Sequence, residues 1–197
     1  MIPRTLLRLF LTLSFSLVAL NSAQAHWSLD NQASTLSFVT VKADHVAEVH
    51  TFDVMSGTIG DAGELEISIE LASVNTLIPI RNERMQAMLF ETSLFPDATI
   101  SASVDIEALA GLAAGATQML QVEFTLAMHG DSNSYVADVL VSRLQGGIVA
   151  STMKPIIVTA DSYGFVTGVE ALREVAGLPS ISRAVPVSFT VVFNQGR

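Results

Sequence analysis

The sequence predicts an all-β fold in which an eight-stranded antiparallel sheet carries two short helical insertions. Three observations support this prediction. Apolar and polar residues alternate with a period of two along nearly the whole chain after residue 25, turn residues separate the alternating segments, and only two segments show helical spacing. Strict alternation is typical of antiparallel strands that turn one face to the core and the other to water.

The segment 64–73 shows the alternation most clearly, with apolar residues at odd positions and mostly acidic residues between them. Similar patterns predict strands elsewhere, and another strand is expected from about 147 to 158. The residues 60–63 and 129–132 are predicted to form tight turns. The sets expected to share a face are Leu36, Phe38 and Thr40; Phe52, Val54 and Ser56; Leu65, Ile67, Ile69 and Leu71; Ile100, Ala102 and Val104; Leu120, Val122, Phe124, Leu126 and Met128; Tyr135, Ala137, Val139 and Val141; and Val185, Val187, Phe189, Val191 and Phe193.

Two longer connections show helical spacing of apolar residues. The first helix is predicted over 82–90 with Asn82 as its N-cap. The second is predicted over 168–176, because Gly177 stands at a C-cap position and Pro179 follows as a stop signal. Both are expected to be amphipathic and to lie between strands.

The N-terminal segment has the pattern of a secretory signal peptide. Arg4 and Arg8 flank the apolar run 6–20, and the sequence Ala-Gln-Ala follows at 23–25. The apolar run is shorter than the ~20 residues of a membrane-spanning helix, although an uncleaved anchor is the alternative. We therefore expect a signal peptide at 1–25 and a single periplasmic domain at 26–197, with no stable membrane insertion after cleavage.

Composition excludes several functional classes. Without the two arginines of the predicted signal peptide, 8 basic residues face 19 acidic ones, a net charge of −11. This balance argues against nucleic acid and anionic membrane surfaces as partners, since both need a basic surface. The chain contains no cysteine, so it has no disulfide, no thiol catalysis and no cysteine-based metal site.

An eight-stranded antiparallel sheet has two ways to hide its apolar face. It stacks as a sandwich or closes as an up-and-down barrel, and a barrel of this size is filled by side chains or holds one small ligand. Composition alone leaves these alternatives open.

Six short segments follow one another in a recognisable order. They are Trp27-Ser28-Leu29-Asp30 with Ser34-Thr35-Leu36-Ser37-Phe38; Phe52 with Ser56-Gly57-Thr58-Ile59; Ile69-Glu70-Leu71-Ala72-Ser73-Val74-Asn75-Thr76; Arg81-Asn82-Glu83-Arg84-Met85; Leu94-Phe95-Pro96-Asp97-Ala98-Thr99-Ile100; and Leu126-Ala127-Met128-His129-Gly130. In this order they resemble the YceI-like family of periplasmic, lipocalin-like, polyisoprenoid-binding proteins. Two positions depart from the family pattern: Ala33 replaces a frequent His, and Asn82 replaces the Asp of an Arg-Asp pair. The resemblance implies a lipocalin-like barrel with an elongated apolar cavity whose ligands are isoprenoid lipids, including quinones.

Recognition of an isoprenoid tail depends on burial in an apolar tube. Each five-carbon unit contributes roughly 3–4 kcal/mol gross, at ~0.8 kcal/mol per methylene-sized group, against an association cost of about 4–15 kcal/mol. A tail of several units therefore binds without any catalytic residue. The expected wall residues are Phe38, Val54, Ile67, Ile69, Val104, Phe124, Leu126, Val139, Phe189 and Val191; the expected lid residues are Met85, Met88, Leu89, Phe90 and Phe95; and the expected head-group residues are Arg81, Arg84 and Arg173.

The sequence predicts a binding or carrier protein and no catalysis, since it contains no recognised catalytic motif. The expected ligand is an isoprenoid quinone or polyprenol, no cofactor or metal is required, and a homodimer formed through the barrel mouth is compatible with the sequence. One alternative is a structural or stress-protective protein with a filled barrel. Another is a metal-binding protein that uses His26, which would be the mature N-terminus.

Overall fold

A computed structural model describes residues 27–196, so the predicted signal peptide and His26 lie outside the described residues. The fold is a closed barrel of eight antiparallel strands that follow one another in the sequence, which confirms the predicted class. Four of the eight strands are broken into two pieces, giving twelve segments. These are β1 (Trp27–Leu29), β2 (Thr35–Lys42), β3 (Val46–Phe52), β4 (Met55–Ile59), β5 (Glu64–Glu70), β6 (Val74–Asn75), β7 (Asp97–Ser103), β8 (Thr117–Met128), β9 (Asp131–Arg143), β10 (Gly147–Thr152), β11 (Ile156–Thr159) and β12 (Ala184–Gln195).

The last strand closes the barrel onto the first. Segment β12 pairs with β10 and β11 on one side and with β1 and β2 on the other. The order around the barrel is therefore β1/β2, β3/β4, β5/β6, β7, β8, β9, β10/β11 and β12, and every neighbouring pair is antiparallel. Closure removes the exposed edges that an open sheet presents to other chains.

The turn predicted at 129–132 joins β8 and β9, which have 12 and 13 residues. Met128 pairs with Asp131, and the two residues between them, His129 and Gly130, both have positive φ angles of 54° and 86°. Two consecutive positive φ angles define the type I′ turn, whose twist matches that of the flanking strands.

The second strand of the barrel, made of β3 and β4, is interrupted between Phe52 and Met55, and this interruption corrects one prediction. Phe52 lines the barrel interior, but the next buried side chain is that of Met55, three residues later, whereas Val54 and Ser56 are exposed. Asn31 holds the break by donating to the Asp53 carbonyl at 3.0 Å and accepting the Met55 N–H at 2.8 Å. The prediction that Val54 lines the cavity is therefore wrong.

Both predicted helices are present with shifted ends. Helix α1 spans Pro79–Met88 and α3 spans Val166–Val175. Asn82 lies inside α1 and is not its N-cap, because its side-chain oxygen accepts hydrogen bonds from the N–H and the hydroxyl of Thr76. Gly177 ends α3 as predicted, with a φ of 62° and a Schellman pair of hydrogen bonds.

A third helix, α2 (Ile106–Gly111), was not predicted. Its N-cap is Asp105, whose side chain accepts the N–H of Ala108 at 2.9 Å. Its buried residue Leu109 lines the interior at the end of the barrel opposite α1 and α3. None of the helices in the described part of the chain has the length and apolar character needed to cross a membrane.

Helices α1 and α3 pack closely over the other end of the barrel. Gly168 in α3 lies so near α1 that a Cβ there would be 2.6 Å from the Met88 carbonyl oxygen. A glycine inside a helix costs about 0.5–1 kcal/mol relative to alanine, and here it allows the two helices to approach. Together they form a cover over the barrel end.

Candidate functional site

The barrel interior is hollow. A cavity of about 410 Å³ occupies the half of the barrel under α1 and α3, and a second cavity of about 90 Å³ lies deeper, towards α2. We call them the outer and the inner chamber. The filled-barrel alternative requires side chains that meet across the interior, whereas the described side chains leave these two cavities between them.

The outer chamber contains most of the predicted lining residues. Its apolar walls come from opposite sides of the barrel and from both helices. The predicted residues that line it are Phe38, Ile69, Met85, Leu89, Phe90, Phe124, Leu126, Phe189, Arg81 and Arg84.

The inner chamber is lined only by apolar side chains. Its lining includes the predicted wall residues Ile67, Val104, Val139 and Val191, and also Phe124 and Phe189, which contact both chambers. A dry cavity of this size lowers stability by about 2 kcal/mol at ~24 cal/mol per Å³, so a solid core would be more stable.

Besides Val54, three predicted site residues lie outside both linings. Met88 is half-buried at the end of α1, and Phe95 packs on the ring of His129 with 4.3 Å between ring centroids. Arg173 faces the helix surface, where its Nε donates to Glu170 at 2.7 Å, one turn earlier on α3. Met88 was assigned from helical spacing, Phe95 from its apolar character and Arg173 from its charge. None of these signals shows whether a side chain points into the cavity or along the surface.

A cluster of polar side chains lies at the solvent-exposed end of the outer chamber, next to α1. Glu48 accepts hydrogen bonds from Lys42 Nζ at 2.7 Å and from an Arg81 Nη at 2.6 Å, and all three side chains are 24–31% exposed. The hydrogen bond from Lys42, opposed by partial burial and supported by Arg81, lowers the pKa of Glu48. We call this end, with Lys42, Glu48, Arg81 and Arg84, the mouth.

His50 lies just inside the mouth and was not predicted to line the cavity. It is 3% exposed, its Nε2 is 2.9 Å from Thr40 Oγ1, and its ring stands edge-on to Phe38. Burial, followed by the positive charge of Arg81, lowers its pKa, so the imidazole is neutral at pH 7. Its Nδ1 is buried and has no hydrogen-bond partner within residues 27–196.

The arginines at the mouth differ in how the fold uses them. Arg81 is held by Glu48 and by the Thr76 carbonyl at 2.9 Å, yet its buried Nε has no partner in the described part of the chain. Arg84 lines the chamber and forms no ion pair with any described residue. Three cations therefore face one carboxylate, which gives the mouth a positive charge on an acidic protein.

Sequence reasoning missed His50, Lys42 and Glu48, although a signal for them was present. Glu48 and His50 lie an even number of residues from the inward-facing Phe52 on β3, and Lys42 lies an even number of residues from Phe38 on β2. On a regular strand such residues share a face, so the alternation indicates that all three point inwards. The five-residue spacing of His45 and His50 indicated opposite faces, and only His50 is buried. Among the described residues no group of three potential ligands could hold a metal ion, and His26 lies outside them.

The fold and the site define a class: an eight-stranded antiparallel barrel that encloses an apolar tunnel with a polar, cationic mouth. The model of the YceI-like domain matches residues 27–193, and the chain belongs to this family.

One similar solved structure is a polyisoprenoid-binding domain from Saccharophagus degradans implicated in plant cell wall breakdown. It is 41% identical, with a TM-score of 0.85, over 88% of this chain and 99% of that one. No curated protein matches the chain.

More distant structures share the fold alone. BcnA of Burkholderia cenocepacia is 15% identical with a TM-score of 0.62, over 83% of this chain and 98% of its own. A YceI protein of Campylobacter jejuni is 18% identical with a TM-score of 0.53, over 75% of this chain and 85% of its own. The barrel is thus common to proteins of low sequence similarity.

Proposed function

We propose that this protein binds and carries an isoprenoid lipid, a quinone or a polyprenol, with its tail in the barrel and its head group at the mouth. The observation that carries the proposal is the hollow apolar interior, which opens at one end onto polar side chains. The 41% identical polyisoprenoid-binding domain supports the same ligand class.

The interior fits a branched hydrocarbon chain. An outer chamber of about 410 Å³ lies within the usual range of ligand pockets. Among residues 27–196, the side chains that line the interior between Phe38 and the deep end of the barrel are apolar, so burial of apolar surface is what holds a ligand there.

The mouth fits a head group that presents oxygen atoms. Arg81 Nε is an unsatisfied donor, Arg84 is a cation without a protein partner in the described chain, and neutral His50 offers Nδ1 as a donor or an acceptor, depending on its tautomer. A quinone carbonyl, a hydroxyl or a phosphate oxygen satisfies these groups, and positive charge favours the electron-rich oxygens among them. The proposed role is binding rather than catalysis.

We also propose that the protein acts in the periplasm. The support is the N-terminal pattern of two arginines, a short apolar run and an Ala-Gln-Ala sequence. Mass spectrometry of the protein recovered from a periplasmic extract tests this, since it should start at His26; a protein retained in the cytoplasm with residues 1–25 would contradict it.

Solvent extraction and mass spectrometry of freshly purified protein test the ligand. We expect a long-chain isoprenoid, and its mass distinguishes a quinone from a polyprenol. Leu172→Trp fills the outer chamber from α3 and should abolish co-purification, whereas Val175→Trp on the exposed face of the same helix should not. Equal amounts of lipid in both variants, or none in the wild type after incubation with lipid, would overturn the proposal.

A further inference from the structure

The two chambers meet at four side chains that line both of them: Leu36, Ile100, Phe124 and Phe189. We call this ring of side chains the constriction. Leu36 pairs with Phe189 across β2 and β12, while Ile100 and Phe124 come from the neighbouring strands β7 and β8. In the order around the barrel β7 lies opposite β12 and β8 lies opposite β1/β2, so the constriction consists of two facing pairs of side chains.

We propose that this constriction sorts ligands by tail length. A short tail lodges in the outer chamber, whereas a longer tail must displace the four side chains to reach the inner one. The proposal rests on the proposed function and adds to it the feature that determines which length of isoprenoid tail the protein accepts. The described polar residues at the mouth contact the head group and do not select for tail length.

The length of the outer chamber sets the boundary. From Lys42 at the mouth to Leu36 at the constriction, β2 covers about 20 Å at ~3.3 Å per residue, or about 15 Å along the axis of a barrel with the usual strand tilt of about 40°. An extended isoprenoid unit of four C–C bonds of ~1.5 Å covers about 5 Å. About three units therefore fit before the constriction.

The inner chamber accommodates a further part of the tail. Phe189 to Phe193 on β12 corresponds to about 10 Å of axial depth, or about two units. All side chains that line it are apolar, and a cavity of this kind excludes water and admits hydrocarbon. Ile100 and Phe189 are only half-buried, so they have room to move when a tail passes.

The ratio of two dissociation constants tests the proposal, with farnesol (three units) and geranylfarnesol (five units) as probes in the same detergent. Phe189→Ala widens the constriction and should strengthen geranylfarnesol binding relative to farnesol by about tenfold or more, since burial of one further unit is worth more than that. Phe52→Ala enlarges only the outer chamber and should leave the ratio unchanged. Ile100→Phe narrows the constriction and should change the ratio in the opposite direction, independently of Phe189.

A ratio that is the same in wild type, Phe189→Ala and Ile100→Phe would overturn the constriction as the determinant of tail length while leaving isoprenoid binding intact. A wild-type protein that binds neither probe would instead overturn the proposed function, and the constriction with it. The two failures are therefore distinguishable.

Discussion

Ala137→Val should stabilise the protein, because the inner chamber has space for the added atoms. Ala137 is 3% exposed and lines this chamber of about 90 Å³, opposite Val122 on the neighbouring strand. The substitution adds two carbon atoms, each worth up to ~0.8 kcal/mol when buried, so the free energy of unfolding should rise by about 1–1.5 kcal/mol. For a domain of this size that is an increase of about 2–6 °C in Tm.

The assay is thermal and urea unfolding of lipid-free protein, followed by circular dichroism. Ala127→Val, on the outward face of β8, is the matched control, because it adds the same atoms and the same strand propensity without filling a cavity. Overpacking of a filled core costs about 1–3 kcal/mol, so a lower Tm for Ala137→Val than for Ala127→Val would show that the inner chamber is not empty.

Three further predictions concern the mouth and one turn. Arg81→Gln should lower Tm by several degrees, since it removes two charged hydrogen bonds worth about 1.5–3 kcal/mol each before solvent screening. Arg84→Gln should instead leave Tm unchanged and weaken binding of a polyprenyl phosphate. Equal effects of the two variants on Tm and on binding would contradict this difference between the two arginines. His50 has a lowered pKa in the folded state, so the unfolded chain binds more protons and the free energy of unfolding should fall as pH drops below about 6.5. If the free energy of unfolding of a His50→Gln variant depends on pH between 7 and 5 as that of the wild type does, this explanation is wrong. Gly63→Ala should destabilise the protein more than Gly115→Ala, as measured by the midpoints of urea unfolding. Both glycines have φ near 85°, but only at Gly63 does an added Cβ collide with the Val104 carbonyl oxygen. Equal losses of stability would show that the collision has no effect and that both variants lose only the ~1–2 kcal/mol of backbone strain.

The strands and the two covering helices were predictable because their signals are local. A period of two fixes the inward face of β5, β8 and β12, and Gly177 marks the end of α3 within a few residues. Alternation within one strand is a property of consecutive residues, and in this barrel it is interrupted where a side chain from another segment binds the strand backbone, as Asn31 does before Met55.

The errors come from contacts between distant residues. The break before Met55 depends on Asn31, more than twenty residues earlier, so the alternation through Val54 gave no warning of it. Helix α2 is only six residues long, and its apolar residues resemble the continuation of a strand; the capping Asp105 was its only signal.

The hollow interior could not be predicted from the pattern of residues, and only the family resemblance implied it. Large and small inward residues occur in filled and in open barrels, and their relative positions depend on strand tilt and register. The cationic mouth was partly predicted, through Arg81 and Arg84 on α1, but His50 belongs to β3 and is distant from them in the sequence.

The most direct test is an experimental structure of the protein crystallised with a long-chain isoprenoid quinone. The account predicts an elongated ligand whose ring oxygens lie near Arg84 and His50 and whose tail passes between Phe124 and Phe189. A ligand bound only on the outer surface, or side chains that meet across the interior at saturating quinone, would contradict it.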